Sequence, residues 1–150
     1  MKNCHVNELS EKLVIVPYNK VEAGYWSASN DIEVLNINDS MELINAVILK
    51  QLDKTIIGVP TPTDFSNKNK DEFYNKLGFN SWNAFFKKSS FYSITILFDN
   101  EFYEIIPYEK SKNHKSFSTS ENIEKIILNN DEAHKIAEIV LNIFKLEILD

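Results

Sequence analysis

Phe91-Tyr92-Ser93-Ile94-Thr95-Ile96-Leu97-Phe98-Asp99-Asn100-Glu101-Phe102-Tyr103-Glu104-Ile105-Ile106-Pro107 reads as two strands and the turn between them. Both runs are rich in β-branched and aromatic residues, which suit a pleated, half-buried surface. Asp99-Asn100 separates them, and both residue types tolerate the positive φ that a tight hairpin turn demands. With Asp99-Asn100 as a two-residue turn, Ile96 faces Tyr103 and Ile94 faces Ile105 on one surface. Thr95 faces Glu104 on the other, where Ser93 also lies. One face is therefore expected in the core and the other partly wet.

Working outward, Val14-Ile15-Val16 is a short strand that ends at Pro17 or lies at a sheet edge, because proline cannot donate to a ladder. Gly24 to Asn30 is irregular, and Ile32 to Ile37 forms a second strand. Asp39 stands where an N-cap belongs, with Glu42 completing a capping box. Met41, Ile44, Val47, Ile48 and Leu52 recur at helical spacing, so a helix is expected over 40–52. Thr55 to Val59 is a third strand, ended by the rigid turn Pro60-Thr61-Pro62-Thr63-Asp64. Asp71 to Leu77 is a short helix stopped by Gly78, and Ser81 caps another that carries Trp82, Phe85 and Phe86.

Beyond the hairpin, Tyr108 to Asn122 reads as a mobile loop and Ile126-Ile127-Leu128 as a last strand. Asn129 or Asn130 caps a final helix whose stripe is Ala133, Ile136, Ala137, Val140, Leu141, Phe144 and Ile148. No repeat at a fixed period is evident. The fold class expected is α+β: a single domain over 1–150 with a largely antiparallel sheet, a central hairpin, and packed helices including a C-terminal helix.

The chain has 150 residues, 43% of them hydrophobic, enough to bury one core and too few for two domains. Its purely apolar runs are short, Ala46-Val47-Ile48-Leu49 among them, so no membrane-spanning helix is expected. Met1-Lys2-Asn3-Cys4-His5 leads into polar residues rather than a secretory signal, which points to the cytoplasm. The single cysteine, Cys4, agrees with a reducing compartment and provides neither an internal disulfide nor a zinc framework. Twenty-two acids face 16 bases, a net charge of -6, and every base is lysine. Without the arginine fork and with a negative field, a nucleic-acid binder is disfavoured and a basic protein partner fits better.

Catalytic groups do not assemble. His5, His114 and His134 fall in a frayed start, a lysine-rich loop and the polar face of the last helix. Cys4-His5 would be a nucleophile and base only if adjacent side chains pointed at each other. Phosphate loops, dinucleotide fingerprints, His-Glu-x-x-His motifs and nucleophile elbows are missing, and three glycines are too few for a glycine-cradled phosphate site. Asp99, Glu101 and Glu104 gather at the hairpin, where a solvated face is the simpler reading than acid/base work. The expectation is a non-enzyme with no cofactor and no metal. Trp82, Phe85 and Phe86 share one side of a short helix and read as core; Tyr25 and Trp26, in the irregular segment, are as suited to an interface.

Val59-Pro60-Thr61-Pro62-Thr63-Asp64, then Leu77-Gly78-Phe79-Asn80-Ser81-Trp82-Asn83-Ala84-Phe85, then the strand ending Ile105-Ile106-Pro107, resemble a known pattern. It is similar to that of the immunity proteins of contact-dependent growth inhibition, the CdiI family. The similarity covers roughly residues 56–107. It implies a small cytoplasmic non-enzyme that binds the C-terminal toxin domain of an exported effector, often a nuclease, and blocks it. An acidic inhibitor of a basic nuclease gains on-rate from steering. The resemblance identifies no contact residues. Charge and placement suggest Asp99, Glu101 and Glu104, with Asp31, Glu33, Tyr25 and Trp26 as neighbours; strand addition at a sheet edge is the other route. A small regulatory or scaffold module is the alternative function, and an enzyme with dispersed carboxylates a distant third.

Overall fold

Cys4 and Val6 are completely buried and alternate with Asn3, His5 and Asn7, the period-two pattern of a strand. In the computed structural model, which describes residues 1–62, 74–111, 113 and 116–149, they form β1, Lys2–Leu9, at the centre of the sheet. This corrects the reading of a frayed start. The polar half of the alternation hid the strand, yet those residues are themselves covered: Asn7 Nδ2 donates to Ser93 Oγ at 3.0 Å. The Asn3 backbone N–H donates to Thr55 Oγ1 at 2.9 Å.

The remaining strands are β2 (Lys12–Val21), β3 (Trp26–Ala28), β4 (Glu33–Asn36), β5 (Ile57–Val59), β6 (Ser89–Phe98), β7 (Phe102–Lys110), β8 (Phe117–Thr119) and β9 (Ile126–Asn129). The order across the sheet is β3-β2-β1-β6-β7-β8, with β4 and β5 also on β2 and β9 also on β7. Every pair is antiparallel except β5 on β2. Helices α1 (Met41–Asp53) and α3 (Ile136–Leu149) pack on one face, around Ile15, Ile44, Ile48, Ile94, Ile96, Ile105, Val140 and Phe144. Helix α2 (Trp82–Lys88) and residues 74–79 cover Leu9, Val14 and Val16 on the other. The α+β class with a largely antiparallel sheet is as expected.

Local chemistry accounts for most of the boundaries. Ser40, not Asp39, caps α1, its Oγ accepting from Leu43 N at 3.2 Å. Asp39 instead accepts from the Asn36 backbone N–H. Gly78, at φ 83°, closes residues 74–79 through Gly78 N to Asn75 O and Phe79 N to Tyr74 O, the paired bonds of a left-handed C-cap. Ser81 caps α2 as its sequence predicts. Gln51, fully buried on α1, donates from Nε2 to the carbonyls of Ile15 at 2.9 Å and Asp31 at 2.8 Å, tying helix to sheet. The expectations for Thr63, Asp64, Asp71 and His114, and for burial of the Ile148 side chain, fall outside the described residues.

Four further expectations change. β2 does not end at Pro17: β4 pairs β2 up to Ile15 and β3 resumes at Tyr18, so the proline sits where the outer ladder has a gap. Part of the irregular segment, Trp26–Ala28, is thereby a strand, and part of the loop expected over 108–122 is β7 and β8. The hairpin register is Phe98↔Tyr103, Ile96↔Ile105 and Ile94↔Pro107, because the turn residues are Asn100 and Glu101. Asn100 takes φ 82°, and Asp99 N still donates to Phe102 O at 3.3 Å. The shift is by two residues, so each side chain keeps its face.

The ladders also contain a repeat. Glu8↔Leu13 in the β1–β2 pair recurs 90 positions on as Phe98↔Tyr103 in the β6–β7 pair. Ile15↔Glu33 in β2–β4 corresponds to Ile105↔Ile126 in β7–β9, and Tyr18↔Ala28 to Tyr108↔Thr119. Each half is thus four strands followed by a helix, and β1 pairs with β6 antiparallel about an approximate two-fold that passes between His5 and Thr95. At the same offset Glu11, Ile15, Pro17, Tyr18 and Lys20 meet Glu101, Ile105, Pro107, Tyr108 and Lys110. Capping bonds repeat too: Pro17 O accepts from Ser29 N and Pro107 O from Ser120 N. Asp39 accepts from the Asn36 N–H as Glu132 does from that of Asn129. The repeat has no fixed period, since insertions between strands change the offset along the chain, and so a search for a fixed period does not find it.

Candidate protein-binding surface

The hairpin tip is rigid. Asp99 Oδ1 accepts from Phe102 N at 2.8 Å and Glu101 N at 2.9 Å, and these backbone donors hold its carboxyl below the usual range. Glu101 is exposed beside it. Because β9 pairs β7 with Phe102 opposite Asn129, residues 129–131 stand alongside the tip. Together Asn100, Glu101, Phe102, Asn129, Asn130 and Asp131 line an open, shallow depression. Phe102 is 40% exposed within it, an aromatic ring among carboxylates.

Sequence reasoning missed Phe102 and Asp131. Phe102 was expected only as a strand residue, and Asp131 as part of a helix start. The signal that joins them is the pairing of two segments far apart in sequence, which no local pattern contains.

The other candidates lie elsewhere. Glu104 is on β7 and pairs with Lys125 at 3.3 Å. Glu33, on β4, pairs with Lys50 at 2.8 Å, and Asp31 with Lys54 at 2.9 Å. Lys54 holds the Asp31 carboxyl below its usual range, and Glu33 raises Lys50. Between β4 and β7 stand β2, β1 and β6, so Asp31 and Glu33 occupy the opposite edge of the sheet from the hairpin tip. Tyr25 is exposed where β3 begins, and the Lys20 Nζ lies 5.6 Å from the centroid of the Trp26 ring. Exposed Ile56 and Ile57 belong to the same end of β2. The seven residues therefore fall into four groups: Asp99 with Glu101, Glu104 alone, Asp31 with Glu33, and Tyr25 with Trp26.

No grouping of three His, Cys, Asp or Glu side chains suited to a metal occurs among the described residues. Burial pushes the Cys4 thiol far up, away from the thiolate that nucleophilic chemistry uses. No helix among them is long and apolar enough to cross a membrane.

His5 stacks on Tyr18 with ring centroids 3.7 Å apart, and burial pushes its pKa down to about 4. The unfolded chain, with a histidine near 6.5, then binds a proton that the folded chain refuses. Stability is retained above about pH 6.5 and falls as pH drops toward 4, by about 3 kcal/mol. Urea titrations at pH 7 and pH 4.5 on wild type and His5→Gln check this: the variant loses less stability between the two pH values. An equal loss in both would show that His5 contributes nothing.

Neither the family models nor the curated proteins give a match to the sequence. Among solved structures, the fold matches the protein of unknown function NMB0488 from Neisseria meningitidis with a TM-score of 0.71 at 16% identity, over 95% of this chain and 92% of that one. It also matches a chain of the CdiA-CT/CdiI toxin and immunity complex from Yersinia pseudotuberculosis, with a TM-score of 0.74 at 13% identity, over 97% of this chain and 96% of that one. At such identities the likeness is one of fold: along nearly its whole length, this protein is built like a chain of a toxin and immunity complex.

Proposed function

We propose that this protein is an immunity protein of contact-dependent growth inhibition, acting in the cytoplasm. It binds and neutralises the C-terminal toxin domain of the cognate effector, a basic nuclease. The observation that carries the reading is the end-to-end fold likeness to a chain of the Yersinia complex. The charge of the chain supports it, since a net -6 without any arginine suits an inhibitor steered to a cationic, polyanion-gripping target.

The surface favoured for contact is the hairpin tip. Glu101 and Asp99 are exposed there and have no lysine partner among the described ion pairs, whereas Asp31, Glu33 and Glu104 are already paired within the chain. Phe102 supplies an aromatic anchor at the centre of that charge.

Calorimetric titration with the toxin domain encoded immediately upstream, at two salt concentrations, tests both parts. Wild type should bind with nanomolar affinity that weakens with salt. The double variant Asp99→Lys, Glu101→Lys should bind at least tenfold more weakly at low salt, with the difference shrinking at high salt. Tight binding by the double variant would sink the surface. No binding by wild type would sink the immunity role and leave a small non-catalytic regulatory or scaffold module.

A further inference from the structure

The approximate two-fold makes each half a template for the other. In the first half, Tyr74, Leu77 and Phe79 pack against the cluster containing Val14, Val16 and Ile32, and the Lys76 Nζ donates to Asn30 O at 3.1 Å. The groove they fill lies at the gap in the outer ladder where Pro17 stands. Its counterpart in the second half lies at Pro107, between β8 and β9. The turns match in register, Ser29 Oγ accepting from Asp31 N as Ser120 Oγ accepts from Asn122 N, which aligns Asn30 with Glu121 and Ile32 with Ile123, but Ile32 packs against the cluster of Val14 and Val16 whereas Ile123 packs against the core under the helices.

Among the described residues the second groove is open. Ile106, Pro107, Ile123 and Ile127 line a depression rimmed by Thr119, Ser120, Glu124 and Lys125, and Ile127 is 56% exposed. Val14 and Val16 are at most 3% exposed, while their counterparts Glu104 and Ile106 are only partly covered. The chain has one segment of residues 74–79 and two equivalent places for it. The electrostatics differ in two respects: Val14 is apolar where Glu104 forms an ion pair with Lys125 at 3.3 Å, and where Asn30 offers Lys76 only a carbonyl, Glu121 adds an exposed carboxylate, with Glu124 nearby.

We propose that this groove docks an aromatic- and lysine-bearing segment of the protein partner, seated as residues 74–79 are seated on the first half. The partner is the toxin domain, so the proposal rests on the function proposed above. The groove and the hairpin-tip depression lie toward the two ends of β9, with Ile127 lining the first and Asn129 the second. A basic partner engaging the tip would therefore have an apolar recess beside it for an anchor. Side chains of the second edge then contribute through burial, and Glu121 and Glu124 select for the cation.

The test has two arms on the full-length protein. In the first, a synthetic peptide of residues 74–85 is titrated into the isotope-labelled chain. Amide shifts centred on Ile106, Ile123 and Ile127, lost in Glu121→Lys, are expected. Shifts confined to Val14, Val16 and Ile32 would mean exchange with the segment already in place, and would overturn the groove, as would no shifts at all. In the second arm, Ile127→Asp, an exposed position whose substitution should leave the circular dichroism unchanged, binds the upstream toxin domain at least tenfold more weakly than wild type. An unchanged affinity would overturn the toxin segment as occupant. Should wild type itself not bind the toxin, the proposed function fails, and the peptide arm still decides whether the groove accepts such a segment.

Discussion

Deleting residues 136–150 leaves a chain with no cooperative unfolding transition. Ile136, Val140, Leu141, Ile143 and Phe144 of α3 are each at most 5% exposed, and all face the core beneath the sheet. At about 1.5–3 kcal/mol for each such side chain, their burial is worth on the order of 10 kcal/mol. A domain of this size has about 5–15 kcal/mol of net stability, so the helix holds most of the margin. Its loss would also uncover α1, since Asn45 closes both of its side-chain bonds on this end of the chain: Nδ2 donates to Ala133 O at 3.1 Å and Oδ1 accepts from Ala137 N at 2.9 Å. Urea denaturation followed by circular dichroism, with an amide proton spectrum, reads the outcome: a flat or sloping titration and collapsed dispersion. A sigmoidal transition shifted by only a few kcal/mol would show α3 to be an accessory.

What the sequence made legible follows a physical line. The hairpin, the two long helices and the Ser81 cap were readable because their signals are local: alternation, a 3.6-residue stripe, a side chain accepting from a backbone N–H three residues on. β1 was not, since half of its alternation is Asn3, His5 and Asn7, polar residues that only the fold covers, Asn7 with Ser93 as its side-chain partner. The hairpin register slipped by two because the Asp99 side chain takes the turn's N–H donors, which moves the turn to Asn100-Glu101. Of the candidate surface, the tip residues were legible as charge on a turn. Their isolation from Asp31 and Glu33 was not, for strand order is a tertiary property and the lysines that pair with those two acids, Lys54 just past α1 and Lys50 within it, lie about twenty residues away in sequence. The repeat escaped for a related reason: Pro17-Tyr18 and Pro107-Tyr108 are a short match, and only the ladders show that the gap each proline occupies is the same place.

That repeat predicts that the chain cut between residues 62 and 74 reassembles from its two parts. Residues 1–62 carry β1–β5 and α1; residues 74–150 carry α2, β6–β9 and α3. The parts meet along β1 and β6, from Lys2↔Phe98 to Asn7↔Ser93, and through α1 against α3. Alone, each part leaves its central strand as an edge with a row of unpaired backbone groups and half a core in water. Neither should be a folded monomer. The second part has one more option, since β6 occupies the place of β1 about the two-fold: two copies can pair β6 with β6, Thr95 opposite Thr95, and self-associate. Mixing the parts in equal amounts should recover the amide spectrum of the intact chain and a single cooperative transition, because β1 restores the native ladder, the α1–α3 contact and the aromatic packing of α2 on Leu9 and Val14. Ultracentrifugation of each part and of the mixture separates the outcomes. Two independently folded monomers, or a mixture that stays unstructured, would mean that the matching ladders are a coincidence of register. A 1:1 complex would show that β1 and β6 form an interface between two units of the same design, joined here in one chain.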